Sequence, residues 1–201
     1  MAPRLLLAST SRYRARLLER LGLPFGVQAP DVDEAYVLRE PPAARALRLA
    51  RAKAEAVWRR DPDACVIGSD QVAAVGRRIL DKPGDAMRCR EQLRVASGRR
   101  MAFHTAVVVV GPGEHAVQAH VDLTRVRFRT LTDREISRYV QLEQPLDCAG
   151  GFRSESLGVA LFESLDTHDP AALVGLPLIW LAGALRASGL DPLADRRGLT
   201  P

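Results

Sequence analysis

Two long strand-forming runs constrain this chain more than anything else in it. Residues 101–110 are almost all apolar or β-branched, Gly111-Pro112-Gly113 turns the chain, and residues 115–129 follow with alternating polarity. Runs joined by so short a Gly/Pro loop pair antiparallel, which excludes an all-parallel sheet. Upstream, strands and helices alternate. Residues 4–9 form a short buried strand. Residues 11–21 form an amphipathic helix with Leu17, Leu18 and Leu21 on one face, stopped by Gly22. Residues 25–28 make a second strand, and the loop 29–42 carries Asp31, Asp33 and Glu34. Residues 43–60 are a long helix with Ala46, Leu49, Ala50, Lys53, Ala54 and Val57 along one stripe. Residues 64–68 are a continuous apolar strand with Ser69-Asp70-Gln71 at its end, and residues 72–80 a hairpin turning at Gly76. Residues 85–96 form a helix ending at Gly98. Thr132, with Glu135 three residues on, caps a helix over 133–143. Residues 159–163 form a strand and 177–188 a last helix, and the tail beyond Gly189 frays. The expected fold is α/β: a mixed, elongated sheet flanked by helices, in two lobes around a central cleft. Residues 1–193 make one domain and 194–201 a disordered tail.

Composition narrows the chemistry. Of 201 residues 47% are apolar, enough for a substantial core, yet the runs 106–110 and 173–185 are too short or too interrupted to span a membrane. The N-terminal apolar run is too short for a secretory signal. Three scattered cysteines, Cys65, Cys89 and Cys148, read as free thiols of a reducing cytosol. His104, His115, His120 and His168 lack zinc-site spacing. Residues 1–100 carry 20 basic against 12 acidic side chains, and residues 101–201 carry 9 against 12. A basic half points to a polyanionic partner, although a solvated arginine-rich surface explains most of these residues equally well. Of the 29 basic residues only Lys53 and Lys82 are lysines. A coding bias toward arginine accounts for the excess, but lysine would survive it where a compact ammonium is required.

Three constellations suggest phosphoryl chemistry. In Ser9-Thr10-Ser11-Arg12-Tyr13-Arg14 a strand opens into a helix, whose N-terminal amides, with three hydroxyls and two guanidiniums, suit a phosphate chain. A plain serine cap with solvated arginines would look the same. Asp70, after Gly68 at a strand's end, could orient water or hold a divalent metal, or simply make a turn. Lys82 is fixed by Pro83 after the hairpin, and Lys53 either snorkels to water or points into a cleft. Together they favour phosphoryl chemistry over nucleic-acid binding, for which ten aromatics, few of them near the arginines, offer little stacking surface.

The order of motifs resembles the Maf family of nucleotide pyrophosphatases from residue 4 to about residue 193. The resemblance is carried by Leu7-Ala8-Ser9-Thr10-Ser11, Asp33-Glu34, Ala52-Lys53-Ala54, Gly68-Ser69-Asp70-Gln71, Lys82-Pro83, Ser97-Gly98-Arg99 and Thr105. It extends to Pro145-Leu146-Asp147-Cys148-Ala149-Gly150 and Val174-Gly175-Leu176-Pro177-Leu178. It implies an inosine triphosphate pyrophosphatase-like fold, a cytoplasmic location, a divalent metal (Mg or Mn), a nucleotide substrate and a homodimer. It also implies roles: Asp70 as base, Ser9, Arg14, Lys53 and Lys82 around the phosphates, and Glu34 with Asp70 at the metal. Gln71 and Phe152-Arg153-Ser154-Glu155 resemble the branch acting on 7-methyl-GTP. There Glu155 and the ring of Tyr13 would meet the cationic base and Gln71 its edge. The alternatives are the branch acting on dTTP and UTP, which has Thr and Gln at these two positions, and a non-catalytic nucleotide- or nucleic-acid-binding regulator linked to septum formation. The chain departs from the branch at Arg12-Tyr13, where Pro-Trp is usual, and at Ala15, where a second arginine is often found.

Overall fold

The computed structural model describes residues 3–112 and 117–194; His115 and all of the expected tail except Ala194 lie outside them. Its seven strands are β1 (Leu5–Ala8), β2 (Phe25–Gln28), β3 (Cys65–Val75), β4 (Arg78–Leu80), β5 (Arg100–Val110), β6 (Val117–Phe128) and β7 (Phe162–Asp166). The helices are α1 (Arg12–Glu19), α2 (Pro42–Trp58), α3 (Ala86–Ala96), α4 (Asp133–Glu143), α5 (Pro170–Val174) and α6 (Leu178–Ala187). The strands form one mixed sheet in the order β2-β1-β3-β5-β6-β7, with β4 also on β3. β1 pairs parallel with β2 and β3, and the rest pair antiparallel.

Side-chain alternation along β3 sorts the core. Val66 and Val72, with Leu6 and Ala8 of β1, pack beneath Ala46, Ala50, Ala54 and Val57 of α2. On the other face Cys65 and Ile67 join Val107, Val109, Leu18 and Leu181 in one cluster. Farther along that face, Ala73 and Val75 join Met101, Phe103, Phe128 and residues of α3 and α4 in another. Between the two stand Ser69 and Gln71 of β3 and Thr105 of β5. Ser69 and Thr105 are fully buried, and all three hydrogen-bond to backbone carbonyls of Ala172, Leu173 and Gly175. This polar band divides one face of the sheet into two separately packed cores.

Three elements differ from expectation, one of them the short helix α5, where no element is expected. β3 does not end before Ser69 but runs on to Val75, because β5 pairs with it continuously from Val66 to Ala74. Of residues 159–163 only Phe162 and Glu163 are in a strand. The carboxylate of Glu143 accepts hydrogen bonds from Ser156 Oγ and Leu157 N, and Gly158 lies so close to the Arg153 carbonyl that a Cβ would stand 2.0 Å from it. The chain therefore curls into a 3-10 turn over Leu157–Leu161, and β7 starts only at Phe162.

Candidate active site

The site follows from a gap in the sheet. One edge of β3 is held by β5. Along the other, β1 stops at Ala8 opposite Gly68, and pairing resumes only at Ala73, opposite Leu80, the last residue of β4. Residues 69–72 thus lie between two strands that do not meet. A cavity of about 750 Å³ opens there, lined from both faces of the sheet. Asp70 is mid-strand on the α2 face, not at a strand terminus; what ends beside it is β1. Gly68 lets the helix come close, since a Cβ would lie 2.2 Å from the Ala50 carbonyl oxygen and 2.6 Å from Ala54 N. That approach sets Lys53 over Asp70.

Lys53 resolves toward the cleft rather than toward water. It is 8% exposed, and its Nζ lies 2.6 Å from Asp70 Oδ1 and 2.7 Å from Glu34 Oε1. Asp70 is equally buried, at 8%. Each carboxylate spends one oxygen on the ammonium; the other makes no hydrogen bond among the described residues. Burial pushes the Glu34 carboxyl up. Lys53, by hydrogen bond and charge, and then Lys82 and Arg14, outweigh this and hold it below the usual carboxylate range.

Across the gap, Ser11 caps α1 by accepting from Arg14 N, and Ser9 Oγ accepts from Ser11 N and from Arg14 Nη1 at 3.5 Å. Arg14 Nε donates to the Gly175 carbonyl at 3.0 Å. Burial lowers the pKa of Arg14, while Asp70 and Glu34 act to raise it. The expected phosphate cradle and both lysines thus line one cavity.

Base-side expectations fare unevenly. Tyr13, Gln71 and Glu155 all line the cavity. The Gln71 amide, however, donates to Thr105 Oγ1 and to the carbonyls of Ala172 and Leu173, so its nitrogen is not available to a base edge. Tyr13 also has partners within the protein. Its hydroxyl reaches both oxygens of Asp147 at 3.3 Å, and the guanidiniums of Arg12 and Arg153 lie 5.0 and 5.9 Å from its ring centre. Arg153 also bonds Asp147 at 3.3 Å, closing a bridge from α1 to the 145–155 loop. Sequence reasoning quoted Asp147 and Arg153 only inside motifs. It passed over Arg45, although a helical wheel centred on Lys53 places Arg45 on the cavity face.

Two carboxylates, with no third His, Cys, Asp or Glu grouped with them among the described residues, do not make a complete metal cage. They do suit magnesium or manganese, which take one or two carboxylates and fill the remaining positions with water and phosphate oxygens. Among the described residues no helix is long and apolar enough to cross a membrane.

Residues 4–188 match the family described as Maf-like protein. The chain is 53% identical over 191 residues to the 7-methyl-GTP pyrophosphatase of Bordetella avium, covering 95% of this chain and 96% of that one. It is 54% identical over 187 residues to the protein of the same name from Alkalilimnicola ehrlichii, covering 93% and 94%. A solved structure, the Staphylococcus aureus Ham1 protein, aligns with 16% identity and a TM-score of 0.46 over 63% of this chain and 72% of that one.

Proposed function

Since the chain belongs to the Maf family, we propose that it is a nucleoside triphosphate pyrophosphatase acting on 7-methyl-GTP, with Asp70 as the base. The observation that carries this reading is the Glu34–Lys53–Asp70 cluster in the gap between β1 and β4, facing the Ser9/Arg14 cradle. Lys53 orients Asp70 through one oxygen and leaves the second free to take a proton from water. The water oxygen bonds to the α-phosphorus, the bond from that phosphorus to the bridging oxygen breaks, and pyrophosphate leaves with the electron pair. Lys53, Lys82, Arg14 and the α1 N-terminus face the negative charge that builds on the phosphates. Glu34, through the oxygen that Lys53 leaves free, would hold a divalent cation that neutralises phosphate charge, and Asp70 would share that cation only in place of acting as the base. The enzyme would work in the cytoplasm, as a homodimer that light scattering can check.

The test is pyrophosphate release from 7-methyl-GTP, GTP, dTTP and UTP with magnesium or manganese, in wild type and Asp70→Asn. Wild type should prefer 7-methyl-GTP, and the variant should lose at least ~10²-fold in kcat with an unchanged Tm. Tight nucleotide binding without turnover would favour a regulator instead, and a preference for dTTP or UTP the sister branch.

A further inference from the structure

Arg45 lies outside the machinery described so far, and its surroundings do not account for it. It sits on α2 at i−8 from Lys53 and i−4 from Leu49, so the three share one helical stripe and all line the cavity. It is 7% exposed, yet Nε and Nη1 are buried with no hydrogen-bond partner among the described residues. Its one ionic contact among the described residues, Nη2 to Asp81 Oδ1, is 3.4 Å, longer than a good charge-assisted hydrogen bond. The Tyr36 ring covers one face of the guanidinium at 3.8 Å, and the Tyr36 hydroxyl donates to the other oxygen of Asp81. A buried guanidinium on the cavity wall with two donors unpaired among the described residues can take an anion, and Asp81 satisfies it only in part.

We propose that Arg45 receives the far phosphate of the departing pyrophosphate, with Asp81 as the internal carboxylate that this phosphate replaces. The inference rests on the pyrophosphatase reading above. The phosphate end is favoured because a guanidinium attracts a polyphosphate and repels a cationic base. Moreover, Arg45 shares the α2 stripe with Lys53, whereas Gln71, Tyr13 and Glu155 approach from the opposite side of the sheet. Asp81 is also the weaker competitor: burial and then Glu34 push its carboxyl up, disfavouring its charged form.

The experiment measures KM, kcat and inhibition constants for inorganic pyrophosphate and for the nucleoside monophosphate in wild type, R45M, R45K, D81N and R45M/D81N. R45M should weaken pyrophosphate inhibition and raise KM by about tenfold, the fold-change expected for losing a hydrogen bond to a charged group. Monophosphate inhibition should stay within about twofold. R45K should recover part of the loss. D81N should tighten pyrophosphate inhibition, and the gain should vanish in the double variant. Equal shifts for both products, or an unchanged pyrophosphate constant in R45M, would overturn the proposal. If R45M does not fold, unchanged pyrophosphate constants in both R45K and D81N overturn it. A wild type that releases pyrophosphate from no nucleotide sinks the underlying reading, whereas an active wild type with indifferent Arg45 variants sinks this inference alone.

Discussion

At the scale of single residues, the scarcity of lysine carried more information than the abundance of arginine. Both lysines line the cavity, and Lys53 is pinned between two carboxylates. Glu155 bears on specificity. It is exposed, its carboxylate touches only the Ser154 hydroxyl at 3.4 Å among the described residues, and it lines the cavity. A carboxylate so placed can attract a cationic N7-methylated guanine and has no charge to meet in GTP. Glu155→Gln should therefore lower kcat/KM for 7-methyl-GTP by roughly ten- to thirty-fold, the equivalent of ~1–2 kcal/mol after solvent screening, and spare GTP. Equal loss on both nucleotides, measured side by side, would make Glu155 structural. Tyr13 illustrates the limit of residue-level reading. A tyrosine beside an anion cradle invites a stacking role, but Asp147, Arg12 and Arg153 already engage it.

At the scale of elements, the contact between α2 and β3 positions the chemistry. Gly68→Ala would drive a methyl group into the Ala50 carbonyl and Ala54, backbone that cannot move without shifting Lys53. Overpacking of this kind costs typically ~1–3 kcal/mol, so denaturant unfolding should show that loss, and activity should fall further than stability explains. The cap of α4 offers a separate test. Thr132 and Glu135 form the reciprocal capping box expected from the sequence. Hydrogen bonds from Thr132, backbone first and then side chain, with one from Arg129, lower the Glu135 carboxyl to about 2 from an ordinary 4.5. A depressed folded-state value means the stabilisation is complete above the ordinary value and lost as pH falls from there toward 2. The Tm difference between wild type and Glu135→Gln should accordingly be present at pH 7 and shrink between about pH 4.5 and pH 2. A difference constant across that range would show that the charge is irrelevant to the cap.

At the scale of the whole molecule, charge and topology act together. The chain carries a net charge of +5, and its basic N-terminal half supplies Arg14, Arg45, Lys53 and Lys82 to one cavity. Five acidic side chains balance five basic ones in that lining, so long-range attraction of a triphosphate comes from the net +5 of the whole chain, which salt screens over about 8–10 Å at physiological ionic strength. Raising salt from ~0.02 to ~0.3 M should therefore lower kcat/KM several-fold, mainly through KM. A salt-independent KM would confine the attraction to short-range contacts.

Much of this architecture was written in the sequence because it depends on local periodicity and caps: the strand–helix alternation, the Ser11 and Thr132 caps, and the long β5–β6 pair. The motifs and the family resemblance also singled out Ser9, Arg14, Glu34, Lys53, Asp70 and Lys82, all of which line one cavity. Other features depend on partners distant in the chain, which no local pattern contains. Whether β3 stopped at Gly68 or ran to Val75 was decided by its pairing with β5, whose residues lie 28 to 44 positions later in the chain. The curl at Leu157–Leu161 was decided by Glu143, and the commitment of Gln71 by the carbonyls of α5. Local sequence sets what each segment prefers and which side chains are available; tertiary structure alone decides which hydrogen-bonding groups are already used and which, as at Arg45, are buried without a partner among the described residues.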